Sequence, residues 1–219
     1  MRLIDLSQPL YDGAPNCPAH PPVRAEIIAD HPKHGWRVEL LTLASHTGSH
    51  VDAPSHKLAD GPNLDQMPLE TFVGEAIIAD LRGAHPDQPF TSTTLSRVLR
   101  HAPVIEDKII LIATGWGDKR AQTDEWLRHS PYLSPDAAEW CVEQKVRAVG
   151  IDHYSIGGCR EPQNSMTHEI LLKAGIWIVE DLRYPPDVFA LPQPLKFWSL
   201  PVHFRGFTGS FCRPVVVVE

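Results

Sequence analysis

The chain has 219 residues and a formal net charge of −7, with 42% hydrophobic and 21% charged residues. That length suits one domain spanning 1–219 with a substantial core, and the apolar content excludes a disordered chain. The negative balance, with no Lys/Arg cluster to reverse it locally, argues against nucleic-acid partners, and no apolar run approaches the roughly 18 residues needed to cross a bilayer.

The opening MRLIDLSQPL is interrupted by Asp5 and Gln8, so it lacks the core of a secretory signal and reads as a first strand from Leu3 to Leu10. Residues 11–22 carry prolines at 15, 18, 21 and 22, a turn-rich loop able to act as a lid. Trp36–Leu43 has β-type residues and leads directly into a group of histidines. Gly74–Leu81 reads as a buried strand, Ser92–His101 as a short helix, and Lys108–Ala113 as a central strand ending at Thr114-Gly115-Trp116. Ser134 and Pro135 are N-cap and first residue of a helix running to Gln144, with Trp140 turned inward. Val146–Ile151 is a further strand, followed by a loop over Asp152–Gln163. A helix over Met166–Lys173 is stopped by Gly175, and a strand over Ile176–Val179 ends at Glu180. Pro214–Glu219, with four consecutive valines, reads as a buried closing strand. Strands alternating with helices predict an α/β layer. Cys17, Cys141, Cys159 and Cys212 are scattered without a CxxC pair, which fits free thiols in a reducing cytoplasm.

His46, His50, Asp52 and His56 fall within eleven residues. A straight strand, at roughly 3.3 Å per residue, would hold His46 and His50 about 13 Å apart, too far to share an ion. A helix would make them neighbours, but Gly48 and Pro54 oppose one. The segment must therefore bend. A turn at Thr47-Gly48-Ser49, with Pro54 restricting Ala53, can fold two imidazoles and a carboxylate around one cation. That donor set suits Zn²⁺, Mn²⁺ or Fe²⁺. A single histidine is ordinarily a surface or satisfied core residue, whereas four grouped polar side chains need partners once buried.

The string His46-Thr47-Gly48-Ser49-His50-Val51-Asp52-Ala53-Pro54-Ser55-His56 resembles the HxGTHxDxPxH signature of the metal-dependent cyclase family, which includes bacterial kynurenine formamidases and isatin hydrolases. Thr114-Gly115-Trp116, Val149-Gly150-Ile151-Asp152, Pro194-Leu195-Lys196-Phe197, and His168 with Glu180 twelve residues later extend the resemblance along the chain. It implies a swivelling β/β/α fold with a mixed sheet core and flanking helices, assembled as a homodimer or homotetramer. It also implies that His46, His50 and Asp52 hold a first ion, that Asp52, His168 and Glu180 offer a second position with Glu180 able to bridge, and that one or two Zn²⁺ or Mn²⁺ ions are used. Without the resemblance, His168 and Glu180 read as an ordinary helix face and strand end.

A cation so held lowers the pKa of bound water to about 7 and polarises a carbonyl oxygen. The resemblance gives His56 the acid/base role, and its ordinary pKa of roughly 6.5 suits proton transfer; a fourth ligand is the other reading. There is no G-x-S-x-G elbow, and Gly206–Ser210 lacks the G-K-[ST] of a phosphate loop, so that stretch reads as backbone packed near the site or as a turn. The expected function is an arylformamidase-like, metal-dependent amidohydrolase acting on a small molecule. It would cleave a non-peptide C–N bond in an aryl formamide, lactam or cyclic imide, with N-formylkynurenine and isatin-like compounds as candidates. A lyase, dehydratase or cyclase working through an enolate, or a non-catalytic metal-binding protein, are the alternatives. Cys17 stands where formamidases of the family carry tryptophan, and His153, Thr208 and Phe211 also depart from the family pattern, all of which concerns the substrate pocket. His153 and Tyr154 face either substrate or packing, and Phe204, Phe207 and Phe211 either pocket or core.

Overall fold

Runs of β-branched and aliphatic residues form strands, and the most apolar of them take the middle of a sheet. The computed structural model describes residues 1–102 and 104–218. Along the chain these form β1 (Arg2–Asp5), β2 (Arg24–Ala29), a one-turn helix α1 (His31–His34), β3 (Val38–Thr42), β4 (His50–Asp52), β5 (Val73–Asp80) and β6 (Pro89–Phe90). Next come α2 (Ser92–Val98), β7 (Ile109–Ala113), α3 (Asp124–Arg128), β8 (Tyr132–Leu133), α4 (Pro135–Glu143), β9 (Ala148–Ile151), α5 (Gln163–Lys173) and β10 (Trp177–Glu180). The chain finishes with β11 (Leu195–Trp198), β12 (Gly209–Phe211) and β13 (Val215–Val218). Among the described residues the main sheet has the order β1-β13-β11-β5-β7-β9-β10-β4-β12.

Its centre, β5-β7-β9-β10, is parallel, because crossover segments carrying helices return each strand in the same direction. The flanking strands join antiparallel, so the sheet is mixed. Alternation along β7, which is buried throughout, splits the core in two. Ile109 and Leu111 face a cluster with Trp177, Val179 and Phe197. Ile110 and Ile112 face the helices, among Leu95, Ala138 and Leu171 of α2, α4 and α5. The expected α/β architecture with a mixed sheet and flanking helices is the one observed.

Several element boundaries differ from expectation. The first strand ends at Asp5 instead of Leu10, because Asp5 caps the turn by accepting from the Ser7 amide at 2.9 Å, after which Ser7 forms an isolated bridge to Leu182. The helix expected over Ser92–His101 ends at Val98 and is capped at its start by the Thr91 hydroxyl. Within Trp36–Leu43, β3 forms over Val38–Thr42 and pairs with β2 in a separate two-stranded ribbon. Valines 215–218 lie between β1 and β11, and Glu219, the last residue of that expected strand, lies outside the described residues. Among the described residues no helix is long and apolar enough to cross a membrane, and the four cysteines are free thiols.

Candidate metal centre

The bend that the histidine spacing demands is centred on Gly48, whose φ of +65° is open to glycine and strained for other residues. A Cβ there would also press on Leu10 at 2.8 Å. After the turn the chain enters β4, held between β10 and β12, with Glu180 opposite His50 and Gly209 opposite Asp52. Strand alternation sends Val51 into the core and His50 and Asp52 to the opposite face, the one on which α5 brings His168. Pro54 then turns the chain through a short 3₁₀ segment that returns His56 to the same place.

Donor atoms converge there from three distant parts of the chain. His50 Nε2 lies 3.3 Å from Glu180 Oε2 and 3.5 Å from Asp52 Oδ1. His168 Nε2 lies 3.2 Å from Glu180 Oε1 and 3.9 Å from Asp52 Oδ2. His46 Nδ1 sits 2.6 Å from Asp52 Oδ1, and the His46 and His56 rings approach with centroids 4.0 Å apart. Two groups have donor atoms within 4.8 Å of one another, close enough to hold a metal ion: His50-Asp52-Glu180 and His46-Asp52-His56, sharing Asp52. His46 is thus grouped with His56, and His50 with Glu180.

Three observations fit this set to a divalent cation. Asp52 Oδ2 is buried without a hydrogen-bond partner, a costly state for a carboxylate that receives no positive charge. His50 Nδ1 is tied to the Gly48 carbonyl at 2.7 Å and His168 Nδ1 to the Asn164 carbonyl at 2.8 Å, which fixes each tautomer and leaves Nε2 free for the ion. The donors are imidazole nitrogen and carboxylate oxygen, the set preferred by zinc and its first-row neighbours. Glu180 is further fixed by the Ile156 amide, which donates to Oε1 at 2.6 Å.

Charges within the cluster respond to one another. Burial opposes the charged form of His50, but the hydrogen bond to Glu180 and the field of Asp52 outweigh it and lift its pKa to about 9. His168 moves up for the same reasons. Burial would raise Asp52, yet the three facing imidazoles of His46, His50 and His56 carry it well below the usual carboxylate range. His56 goes the other way, down to about 4, through burial first and then the nearby His46 and His168. A raised folded-state pKa stabilises the protein fully below the ordinary value of 6.5, and that stabilisation is lost as pH rises towards 9. The melting temperature of chelated protein should therefore fall between pH 6.5 and 9, and saturating Zn²⁺ should flatten the decline by replacing the protons. A chelated profile flat over that range would contradict this charge pattern.

Above the cluster lies a cleft of about 430 Å³, with Cys17–His20 on one wall and residues 154–168 on another. The proline-rich loop is a fixed wall: Arg120 donates to the Pro9 and Pro15 carbonyls at 3.0 and 2.7 Å and pairs with buried Asp181 at 3.1 Å. Arg120 and Asp181 had no signal in the sequence. His20, half-buried with its ring 6.5 Å from that of His46, was legible as the one histidine in that loop. Tyr154 lines the cleft and donates to the Leu127 carbonyl, whereas His153 is buried behind it, bonded to the Trp126 carbonyl at 2.9 Å. Phe204 packs against Phe207 and meets Phe211 edge-on, outside the cleft. The glycine-rich stretch does pack backbone near the site: Gly209 lies against the His46 ring, and Thr208 Oγ1 is 3.0 Å from His46 Nε2.

The fold has relatives among solved structures. Isatin hydrolase A from Labrenzia aggregata, solved with benzyl benzoate, superposes with a TM-score of 0.86 at 26% identity, covering 100% of this chain and 94% of that one. Isatin hydrolase A from Ralstonia solanacearum gives 0.86 at 24% identity, over 100% of this chain and 92% of that one. A protein described as a "predicted metal-dependent hydrolase" from Bacillus stearothermophilus gives 0.77 at 24%, over 98% and 97%. The sequence model of the Cyclase family matches residues 4–157, from β1 through the histidine cluster to the loop after β9. With well over half of its length matched by that model, the chain belongs to the Cyclase family.

Proposed function

We propose that this protein is a metal-dependent hydrolase of a non-peptide C–N bond in a small aryl formamide, lactam or cyclic imide, with isatin-like compounds foremost and N-formylkynurenine next. One observation carries the reading: five donor side chains, His46, His50, Asp52, His168 and Glu180, meet beneath a cleft whose wall holds a further imidazole, His56. The likeness to isatin hydrolase A at 26% identity supports the substrate class, and the cleft volume suits a bicyclic molecule. A bound Zn²⁺ or Mn²⁺ supplies carbonyl polarisation and acidification of water.

The chain's own residues do the rest. His46, His50, Asp52, His168 and Glu180 would hold the cation, with His50 and His168 oriented by backbone carbonyls and Glu180 by the Ile156 amide. His56, kept neutral at pH 7 by burial and by the facing imidazoles, accepts a proton from attacking water and delivers it to the departing nitrogen. Cys17 and His20 on the loop wall shape the space for the substrate ring.

Metal analysis of purified protein, joined to a screen over formanilides, isatin-like lactams and cyclic imides, tests this reading. Turnover should vanish with chelation and return with Zn²⁺ or Mn²⁺, and in ¹⁸O-water one label should enter the new carboxylate. Product without label would indicate lyase or enolate chemistry instead. His56→Ala should keep its metal and lose turnover by about 10²-fold or more. Loss of metal in that variant would make His56 a ligand, and unchanged turnover would remove it from the mechanism.

A further inference from the structure

Two sequence motifs take no part in the chemistry above, Thr114-Gly115-Trp116 after β7 and Asp152 after β9, and the fold joins them. The buried Asp152 carboxylate accepts from the Thr114 amide and hydroxyl at 2.9 and 2.7 Å and from the Gly115 amide at 2.8 Å. The turn so fixed leads through residues 117–119 to Arg120, whose side chain is 5% exposed. Its guanidinium reaches acceptors in two places: the Pro9 and Pro15 carbonyls of the loop wall, and the carboxylate of Asp181, one residue beyond Glu180.

Asp181 is where these contacts reach the ligand strands. Its φ of +54° is strained for a residue with a side chain, and its neighbours hold it there. The amide donates to the His153 carbonyl at 2.6 Å, and the carbonyl accepts from the Ser49 hydroxyl at 2.6 Å. Ser49 lies between the Gly48 bend and His50, and its oxygen also accepts from the Gln8 amide at 2.8 Å. Among the described residues neither carboxylate oxygen of Asp181 has a hydrogen-bond partner, and its buried charge faces Arg120 at 3.1 Å. A buried pair of this kind adds little to stability, because desolvation offsets the attraction. What it fixes is the position of one segment against another.

We propose that Arg120 is a positioning residue that couples the substrate wall to the metal centre, holding Cys17–His20 in register with Glu180. The planar fork of an arginine bonds acceptors in several directions at once, whereas the compact ammonium of a lysine cannot hold the same set. An ion that steadies Glu180 therefore also steadies the loop, although residues 11–17 supply no donor to either ligand group. The coupling rests on the reading of the centre as a metal site, and its effect on substrate rests on the hydrolase reading.

Hydrogen exchange tests the coupling without substrate. In wild-type protein Zn²⁺ should slow amide exchange in residues 11–17 at least about threefold relative to chelated protein. Arg120→Lys, which keeps a cation beside Asp181, should bind Zn²⁺ with wild-type stoichiometry and lose that response. Asp181→Asn, which cuts the link at its other end with little change of shape, should lose it too. With the best substrate from the screen above, Arg120→Lys should raise KM about tenfold and change kcat by less than about threefold. A purely structural role would lower the melting temperature and leave KM alone. Exchange in residues 11–17 that ignores Zn²⁺ in the wild type overturns the proposal, and that measurement needs no variant. So does an Arg120→Lys protein that keeps the zinc response or the wild-type KM. Failure of the hydrolase reading looks different: no compound turns over while the zinc response stays intact. A wild-type protein that takes up no Zn²⁺ sinks the metal centre, and the coupling with it.

Discussion

Replacing Asp52 with asparagine should empty the centre of metal and reduce turnover by well over about 10²-fold, since losing even an outer-shell partner costs 10–100-fold. Asp52 is shared by both ligand groups and faces His46, His50 and His56. The amide keeps the shape of the carboxylate and removes its charge, so a change in metal content reports electrostatics and not packing. Without that charge the protonated form of His50 rests mainly on Glu180, and its pKa should fall below the present value of about 9. Metal content measured by plasma emission and the His50 titration followed by NMR check both outcomes. An Asp52→Asn protein that retained stoichiometric metal and normal turnover would remove Asp52 from the centre.

The second large effect is expected at a residue with no side chain. A Cβ on Gly209 would lie 2.2–2.6 Å from three atoms of the His46 ring, inside any permitted contact. In Gly209→Ala the imidazole must leave its position, giving up its approach to Asp52 at 2.6 Å and to Thr208 at 3.0 Å. Backbone pairing of β12 with β4 tolerates alanine, so the fold should survive with an overpacking cost of about 1–3 kcal/mol. At roughly 2–4 °C per kcal/mol for a chain of this size, that is a fall of several degrees in melting temperature. Turnover should drop at least about tenfold, in keeping with a displaced partner at a metal site. Calorimetry and Zn²⁺ titration separate the two effects: unchanged zinc affinity would mean that His46 is no part of the centre, whatever the change in stability.

These two residues illustrate different degrees of legibility. Asp52 stood in a spaced pattern with three histidines, and reach alone required the chain to bend there. Gly48, at positive φ, is that bend. Gly209 was legible only as part of a glycine-rich stretch packed near something, because the contact joins residues 163 positions apart in the chain. The partner of β3 was not legible for a related reason. Trp36–Leu43 has the residue types of a core strand, and propensity does not record which neighbour a strand finds.

What the sequence determined by itself was local: the strands made by unbroken aliphatic runs, the helix opened by Ser134-Pro135, and the grouping of His46, His50, Asp52 and His56 as candidate metal donors. Those features depend on propensity, chain reach and donor chemistry, all properties of neighbouring residues. That His168 and Glu180 join that group was implied by the family resemblance and not by the residues themselves; the tertiary structure alone decided that Arg120 and Asp181 brace the loop wall, and that His46 sides with His56 while His50 sides with Glu180. Each of these follows from strand order and register, in which β4 lies between β10 and β12. Such pairings are set by the energy of a whole packed sheet, which no single window of sequence contains.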